Sequence, residues 1–258
     1  MVKSQLLAII VVGVGVSCTK SSSSNDTTPS KEESTLVDSI PAQAVSILKQ
    51  QEISALEKQM IDQGLVDVQE VEPDIRVELK YSKTDNFIKK DVYGELTRAY
   101  LQPAIAKKLA KASEILKRNH PDHSLLIYDA ARPNSVQYQL WDALDDLKIP
   151  ARSKTQYVAD PRIGSIHNFG CAVDLTVANA EGVPLDMGTP YDFFGPLAYP
   201  RMESQLLREG KLTTRQVANR NTLRQAMTQA GFSVNPTEWW HFDGMSRNAA
   251  KARYGMIK

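Results

Sequence analysis

The sequence predicts an α+β fold: one compact domain in which a mainly antiparallel sheet is flanked by helices. Three observations predict it. Segments that alternate apolar and polar residues with period two are interspersed with segments of helical period. No internal repeat and no regular succession of strand and helix marks a solenoid or a parallel, doubly wound sheet. The 258 residues, 42% of them hydrophobic, supply one sizeable core.

Lys3 precedes an apolar run from Leu6 to Val16, followed by Ser17 and Cys18. These are the charged, hydrophobic and small-residue regions of an export signal, and the run is too short to span a bilayer. The expected organisation is a signal peptide over 1–17, a tether over 18–40 and a folded domain over 41–258. The tether is rich in Ser and Thr, and at about 25 residues such a chain spans roughly 25–30 Å.

Pro41 suits the start of a helix, and Ile53, Leu56 and Met60 recur at helical spacing before Gly64. This is the expected N-terminal extension helix. Ile75, Val77, Leu79 and Tyr81 alternate with Arg76, Glu78 and Lys80, predicting a half-buried strand. Ile105, Leu109, Ala112 and Leu116 mark an amphipathic helix, Leu125 to Tyr128 a short strand, and Val136, Leu140, Leu144 and Leu147 a second helix. A third helix is expected from about Thr214 to Ala230, burying Val217, Leu223, Met227 and Ala230 and stopping at Gly231.

Lys and Arg number 31 against 30 Asp and Glu, so no global field draws the chain to nucleic acid or anionic lipid. Partners follow from the site. Two segments carry candidate chemistry: Ser165-Ile-His-Asn-Phe-Gly-Cys-Ala-Val-Asp174 and Glu238-Trp-Trp-His241. Two imidazoles and one carboxylate (His167, Asp174, His241) are a typical protein set for catalytic zinc with one position open to water, and Glu238 is placed to take that water's proton.

From Cys171 the first segment reads as a strand with Ala172, Asp174 and Thr176 on one face. His167 has the wrong parity for that face, and Gly170 is the residue that lets the backbone bend. On these residues alone, a loop histidine and a turn acid remain an equally good reading. The segment from Pro236 to Gly244 reads as a strand on which Trp239 and His241 share a face. Glu238 then has opposite parity to His241, which makes it a base rather than a fourth ligand. A His-Glu-x-x-His helix is absent, and His120 and His123 flank a polar turn outside the site. Cys171 faces away from Asp174 and reads as a small core residue, with a redox or ligand role as the alternative.

Together these segments resemble the zinc D-Ala-D-Ala dipeptidase family of VanX type, related to D,D-carboxypeptidases and hedgehog-like domains. The resemblance extends through Ile75 to Ser82, Asp85 to Phe87, Val92 to Gly94, Asp129-Ala-Ala-Arg-Pro133, Ser165 to Thr176, Met187 to Asp192 and Glu238 to Phe242. It implies one zinc ion held by His167, Asp174 and His241, with Glu238 as general base and Arg132 steadying the oxyanion. It also implies that Asp192 and Ser165 hold the amino end of a small dipeptide. The chain departs from the family at Ala131, where an aromatic is usual, and at Cys171, where Ser or another small residue is more common.

The leader resembles a bacterial lipoprotein signal in which Cys18 becomes the lipidated first residue, with Gly15 where Leu is usual; the alternative is an ordinary cleaved signal. A lipidated Cys18 leaves Cys171 without an intramolecular disulfide partner. The resulting expectation is an envelope lipoprotein that hydrolyses D-Ala-D-Ala in wall turnover or recycling. A D,D-carboxypeptidase of peptidoglycan stems and a non-catalytic zinc-stabilised binding module are the competing functions.

Overall fold

The computed structural model describes residues 53–258. The expected signal peptide, the lipidated Cys18, the tether and Pro41 lie outside the described residues. Helix α1 (Ala55–Asp62) starts at Ser54, whose hydroxyl accepts from the Glu57 N–H while the Glu57 carboxylate accepts from the Ser54 N–H. Met60 is buried as expected, whereas Ile53 precedes the cap and is 54% exposed.

Strand β1 (Val66–Asp67), short helix α2 (Val68–Val71) and strand β2 (Arg76–Val77) follow. The strand expected from Ile75 to Tyr81 is thus confined to two residues. Burial still alternates, with Ile75, Leu79 and Tyr81 inside and Arg76 outside. The chain leaves the sheet because Lys80–Ser82 coils into a 3-10 turn, and Asn86 gathers the Lys80, Lys83 and Lys90 carbonyls with its side-chain amide.

After β3 (Tyr100–Leu101), helix α3 (Pro103–Asn119) and strand β4 (Ser124–Asp129) appear where the sequence placed them. Helix α4 (Asn134–Asp146) buries Val136, Leu140 and Leu144. Leu147 does not join them: it is the C-cap, 45% exposed, and Lys148 beyond it takes a positive φ.

Strand β5 (Ala172–Ala178) is buried along its whole length, on the Asp174 face as well as the opposite one. Helices α5 (Glu203–Arg208) and α6 (Thr214–Gln229), strands β6 (Ser233–Val234) and β7 (His241–Asp243), and helix α7 (Arg247–Arg253) complete the domain. The main sheet has the order β2-β4-β5-β7-β6, with β2 parallel to β4 and every other pair antiparallel. Strands β1 and β3 form a separate antiparallel ribbon.

Helices α3 and α6 pack on each other and on β4 and β5. Asp174 faces the cleft, so pleating turns Val173, Leu175 and Val177 toward this helical layer. Leu223, Met227 and Ala230 of the third expected helix are buried, but Val217 is only half-buried. The next buried position is Arg220, at 1% exposure, because that face of α6 meets a loop carrying backbone carbonyls as well as the core. No described helix is long and apolar enough to cross a membrane.

Candidate metal centre and active-site cleft

His167 lies on a 3-10 turn, Ile166–Phe169, capped by Ser165 and closed by Gly170 at φ +64°. Gly170 therefore bends the chain, as expected, but it does so by ending a 3-10 turn and not by bulging a strand. A Cβ there would meet Leu65 Cδ2 at 2.7 Å and the Gln102 nitrogen at 3.3 Å. Asp174 on β5 stands directly across from His241 on β7.

These residues bring three ligand atoms together. His167 Nε2 is 3.1 Å from His241 Nδ1 and 3.3 Å from Asp174 Oδ1, and the last two atoms are 2.9 Å apart. Ligands about 2.0–2.1 Å from a tetrahedral zinc lie about 3.3–3.4 Å from one another, so the triangle fits such an ion with slight contraction.

The hydrogen bonds behind the ligands support the same reading. His167 Nδ1 meets the Ala130 carbonyl at 2.7 Å, where only an N–H is useful, leaving Nε2 with its lone pair. His241 Nε2 faces the Asp243 carboxylate at 2.9 Å, and a proton held there would leave Nδ1, 2.9 Å from Asp174 Oδ1, to a metal ion. Two imidazole nitrogens and a carboxylate oxygen converge, an arrangement that positive charge between them stabilises, whether a proton on His241 Nδ1 or a metal ion in its place. Burial opposes charging His241, yet Asp174 and Asp243 raise its pKa well above the usual imidazole value. Burial likewise opposes ionising Asp174, but the His167 and His241 rings hold it well below the usual carboxylate range.

Glu238 Oε2 stands 3.9 Å from His241 Nδ1 and accepts from the Asn235 side-chain amide at 2.8 Å. Its side chain keeps 22% of its surface open to the cleft. Enclosure among protein groups, reinforced by the charge of Asp174, lifts its pKa to about 7 against the attraction of His241 and Arg132. The strand expected from Pro236 to Gly244, with Trp239 and His241 on one face, does not form over its whole length. Only His241–Asp243 is strand, and Trp239 and Trp240 lie in a bend. Trp240, not Trp239, lines the cleft beside His241, while Trp239 Nε1 donates to Thr189 Oγ1 at 2.7 Å.

Arg132 is 7% exposed and held from several sides. Nε donates to Asp129 Oδ2 at 2.8 Å, Nη2 pairs with the same carboxylate, and Nη1 donates to Gln137 Oε1 at 3.0 Å. The guanidinium lies over Tyr81, and Nη2 approaches Asp174 Oδ2 at 3.6 Å. These bonds use three of its five N–H groups, so two remain.

Asp192 adopts φ +59° and accepts from the Tyr81 hydroxyl at 3.0 Å. Burial, followed by the nearby Asp174 charge, raises its pKa well above the usual carboxylate value. Ser165 lines the same cleft, but its hydroxyl is engaged in capping, accepting from the His167 N–H at 3.4 Å. The cleft, a cavity of about 290 Å³, contains Arg132, Ser165, His167, Asp174, Asp192, Glu238 and His241 together.

Cys171 is buried, its thiol pushed up to about 12 by burial, and it stays outside the ligand set. His120 and His123 stack on each other at 5.2 Å, also away from that set. Three contributors were not singled out from the sequence. Asp243 supports His241, Tyr191 donates to Asp174 Oδ2 at 2.9 Å, and Tyr93 donates to Asp129 Oδ1 at 2.5 Å. Asp243 was discoverable, since two residues along a strand from His241 is the same face.

The family described as D-ala-D-ala dipeptidase (Peptidase_M15) matches residues 61–256. The chain belongs to this peptidase family. It is 35% identical to the D-alanyl-D-alanine dipeptidase of Escherichia coli (strain K12), over 69% of this chain and 83% of that one. It is 26% identical to the D-alanyl-D-alanine dipeptidase of Enterococcus faecium, over 69% and 90%. The D-alanyl-D-alanine dipeptidase of Synechocystis sp. (strain ATCC 27184 / PCC 6803 / Kazusa) is 29% identical over 55% of this chain and 68% of its own. The α+β architecture agrees with this membership, and the convergent His and Asp ligands suit a metallopeptidase.

Proposed function

We propose that the protein is a zinc-dependent D-alanyl-D-alanine dipeptidase. The observation that carries this reading is one cavity shared by the His167, Asp174 and His241 ligand atoms, the Glu238 carboxylate and the Asp192 carboxylate. Zinc held there by His167, Asp174 and His241 would supply a Lewis acid and an acidified water. The remaining chemistry falls to this chain's own groups.

Glu238, with its pKa near neutrality, accepts the water's proton as the water attacks the scissile carbonyl, then delivers it to the departing amine nitrogen. Asn235 fixes the orientation of that carboxylate. Arg132 turns its unused N–H groups toward the oxygen that gains negative charge, worth several kcal/mol in a site closed to water. Asp129 and Gln137 prevent it from swinging away.

Asp192 pairs with the free ammonium of the dipeptide, whose positive charge draws the carboxyl back into its ionised form. The Tyr81 hydroxyl orients it. A neutral amide at that place would forgo this ion pair and leave Asp192 a neutral acid, which favours a free dipeptide over a long peptidoglycan stem. Ser165 contributes through its cap on the His167 turn.

The leader ending at Cys18 supports export and lipid anchoring in the cell envelope, where the substrate would be wall-derived dipeptide undergoing turnover or recycling. Lipid labelling that disappears in Cys18→Ala would bear out the anchor. For the activity, the test is D-alanine release from D-Ala-D-Ala and from its N-acetylated form, with zinc and with chelator. Equal turnover of both forms would replace the dipeptidase by a carboxypeptidase, and no turnover of either would leave a binding module.

A further inference from the structure

The cleft owes Asp192 and Phe194, and Asp174 owes its Tyr191 partner, to the stretch from Met187 to Gly195, which contains no helix or strand. No backbone N–H from Met187 through Gly195 donates to another backbone carbonyl. Three of its residues, Gly188, Asp192 and Gly195, have positive φ, and for Asp192 that conformation is uncommon. Such a loop cannot hold Asp192 in place by itself.

The anchor comes from helix α6. Arg220 Nε donates to the Met187 carbonyl at 2.7 Å and Nη2 to the Leu197 carbonyl at 3.0 Å, so one guanidinium grips both ends of the loop. Its charge is met by Glu203 Oε1 at 3.5 Å, and Glu203 also binds Arg224 at 2.6 Å. The same guanidinium lies 5.9 Å from the centre of the Trp239 ring, next in sequence to Glu238. A planar cation with several fixed donors can make these contacts at once, and neither lysine nor an apolar side chain can.

We propose that Arg220 is the positioning residue that fixes the 187–197 loop, and with it the Asp192 carboxylate, at the amino end of the substrate. This rests on the dipeptidase reading, in which Asp192 selects a free ammonium. Arg220 touches neither metal ligands nor substrate. Its role is to make selectivity for the unacylated dipeptide independent of the loop's own weak preferences.

The test compares wild type, Arg220→Met and Arg220→Lys, the last retaining a cation for Glu203 should the first fail to fold. Preference in kcat/KM for D-Ala-D-Ala over its N-acetylated form should fall about tenfold or more in both variants, chiefly through KM, with zinc content unchanged. In an Asp192→Asn background, Arg220→Lys should cost little further, because both changes remove one function. The Trp239 indole N–H, one of three in the chain, should exchange with solvent faster in the variants as Thr189 moves off. A wild type without the preference would sink the Asp192 reading. An intact preference in both variants, or an unaltered indole exchange rate, would overturn the role of Arg220 alone.

Discussion

The Asp243 carboxylate accepts from His241 Nε2 at 2.9 Å, which fixes the ring so that Nδ1 faces Asp174 and His167. Outer carboxylates of this kind orient a ligand imidazole and increase its basicity. Asp243→Ala should weaken zinc binding about 10–100-fold while leaving the fold intact. Competition against a chromophoric chelator measures this, and unchanged affinity would mean that β7 alone orients His241.

Glu238 stands beyond the ligand triangle, 3.9 Å from His241 Nδ1. Glu238→Gln should keep about one zinc per chain and lose several orders of magnitude in kcat. Metal analysis of the purified variant decides the matter, since loss of zinc would make Glu238 a ligand.

The pH dependence follows from the same residue. A base works in its ionised form, and burial lifts Glu238 to about 7 in the metal-free protein. A neighbouring cation draws that value down, so kcat/KM should fall along an acid limb with its midpoint at or somewhat below 7. Activity is thus retained above the limb and lost as pH falls through it. A profile that stays flat between about pH 5 and 7 would show that no group with this titration takes the proton.

Much of this was legible because periodic patterns survive packing. Leu109 and Leu116 on α3 are buried where period 3.6 puts them, and on β5 period 2 sets Val173 and Leu175 on the face opposite Asp174. The cluster of His167, Asp174 and His241 was legible because its residue types are few and stand in short blocks. What escaped was geometry set by non-periodic chain. Parity along Trp239, Trp240 and His241 misled because only His241–Asp243 is strand. Arg220 resembles a solvated position on an amphipathic helix until the carbonyls of Met187 and Leu197 are seen above it. The Ser165 hydroxyl also caps the turn that carries His167, a role that residue type alone does not reveal.

Cys171 reports on the intactness of this region. Its thiol is buried with its pKa pushed up to about 12, and it sits next to Gly170 at the start of β5. Since the thiolate is the reactive form, alkylation of a chain beginning after Cys18 should be negligible at neutral pH and become complete in denaturant. Rapid labelling of the native protein would place Cys171 in an open, polarised setting at odds with its core position.

Gly170 provides the most local test of how the site is built. It needs φ +64° to pass from the His167 turn into β5, and Leu65 Cδ2 lies 2.7 Å from where a Cβ would stand. Gly170→Ala pays both for the left-handed backbone and for displacing Leu65, about 1–3 kcal/mol in total. Because His167 is three residues upstream and bonds Ala130 through Nδ1, the strain should also be felt at the metal. Thermal unfolding should occur at lower temperature with and without zinc, and zinc affinity should fall as well. A variant destabilised with unaltered zinc affinity would show that the Ser165 cap and the Ala130 carbonyl hold His167 without help from Gly170.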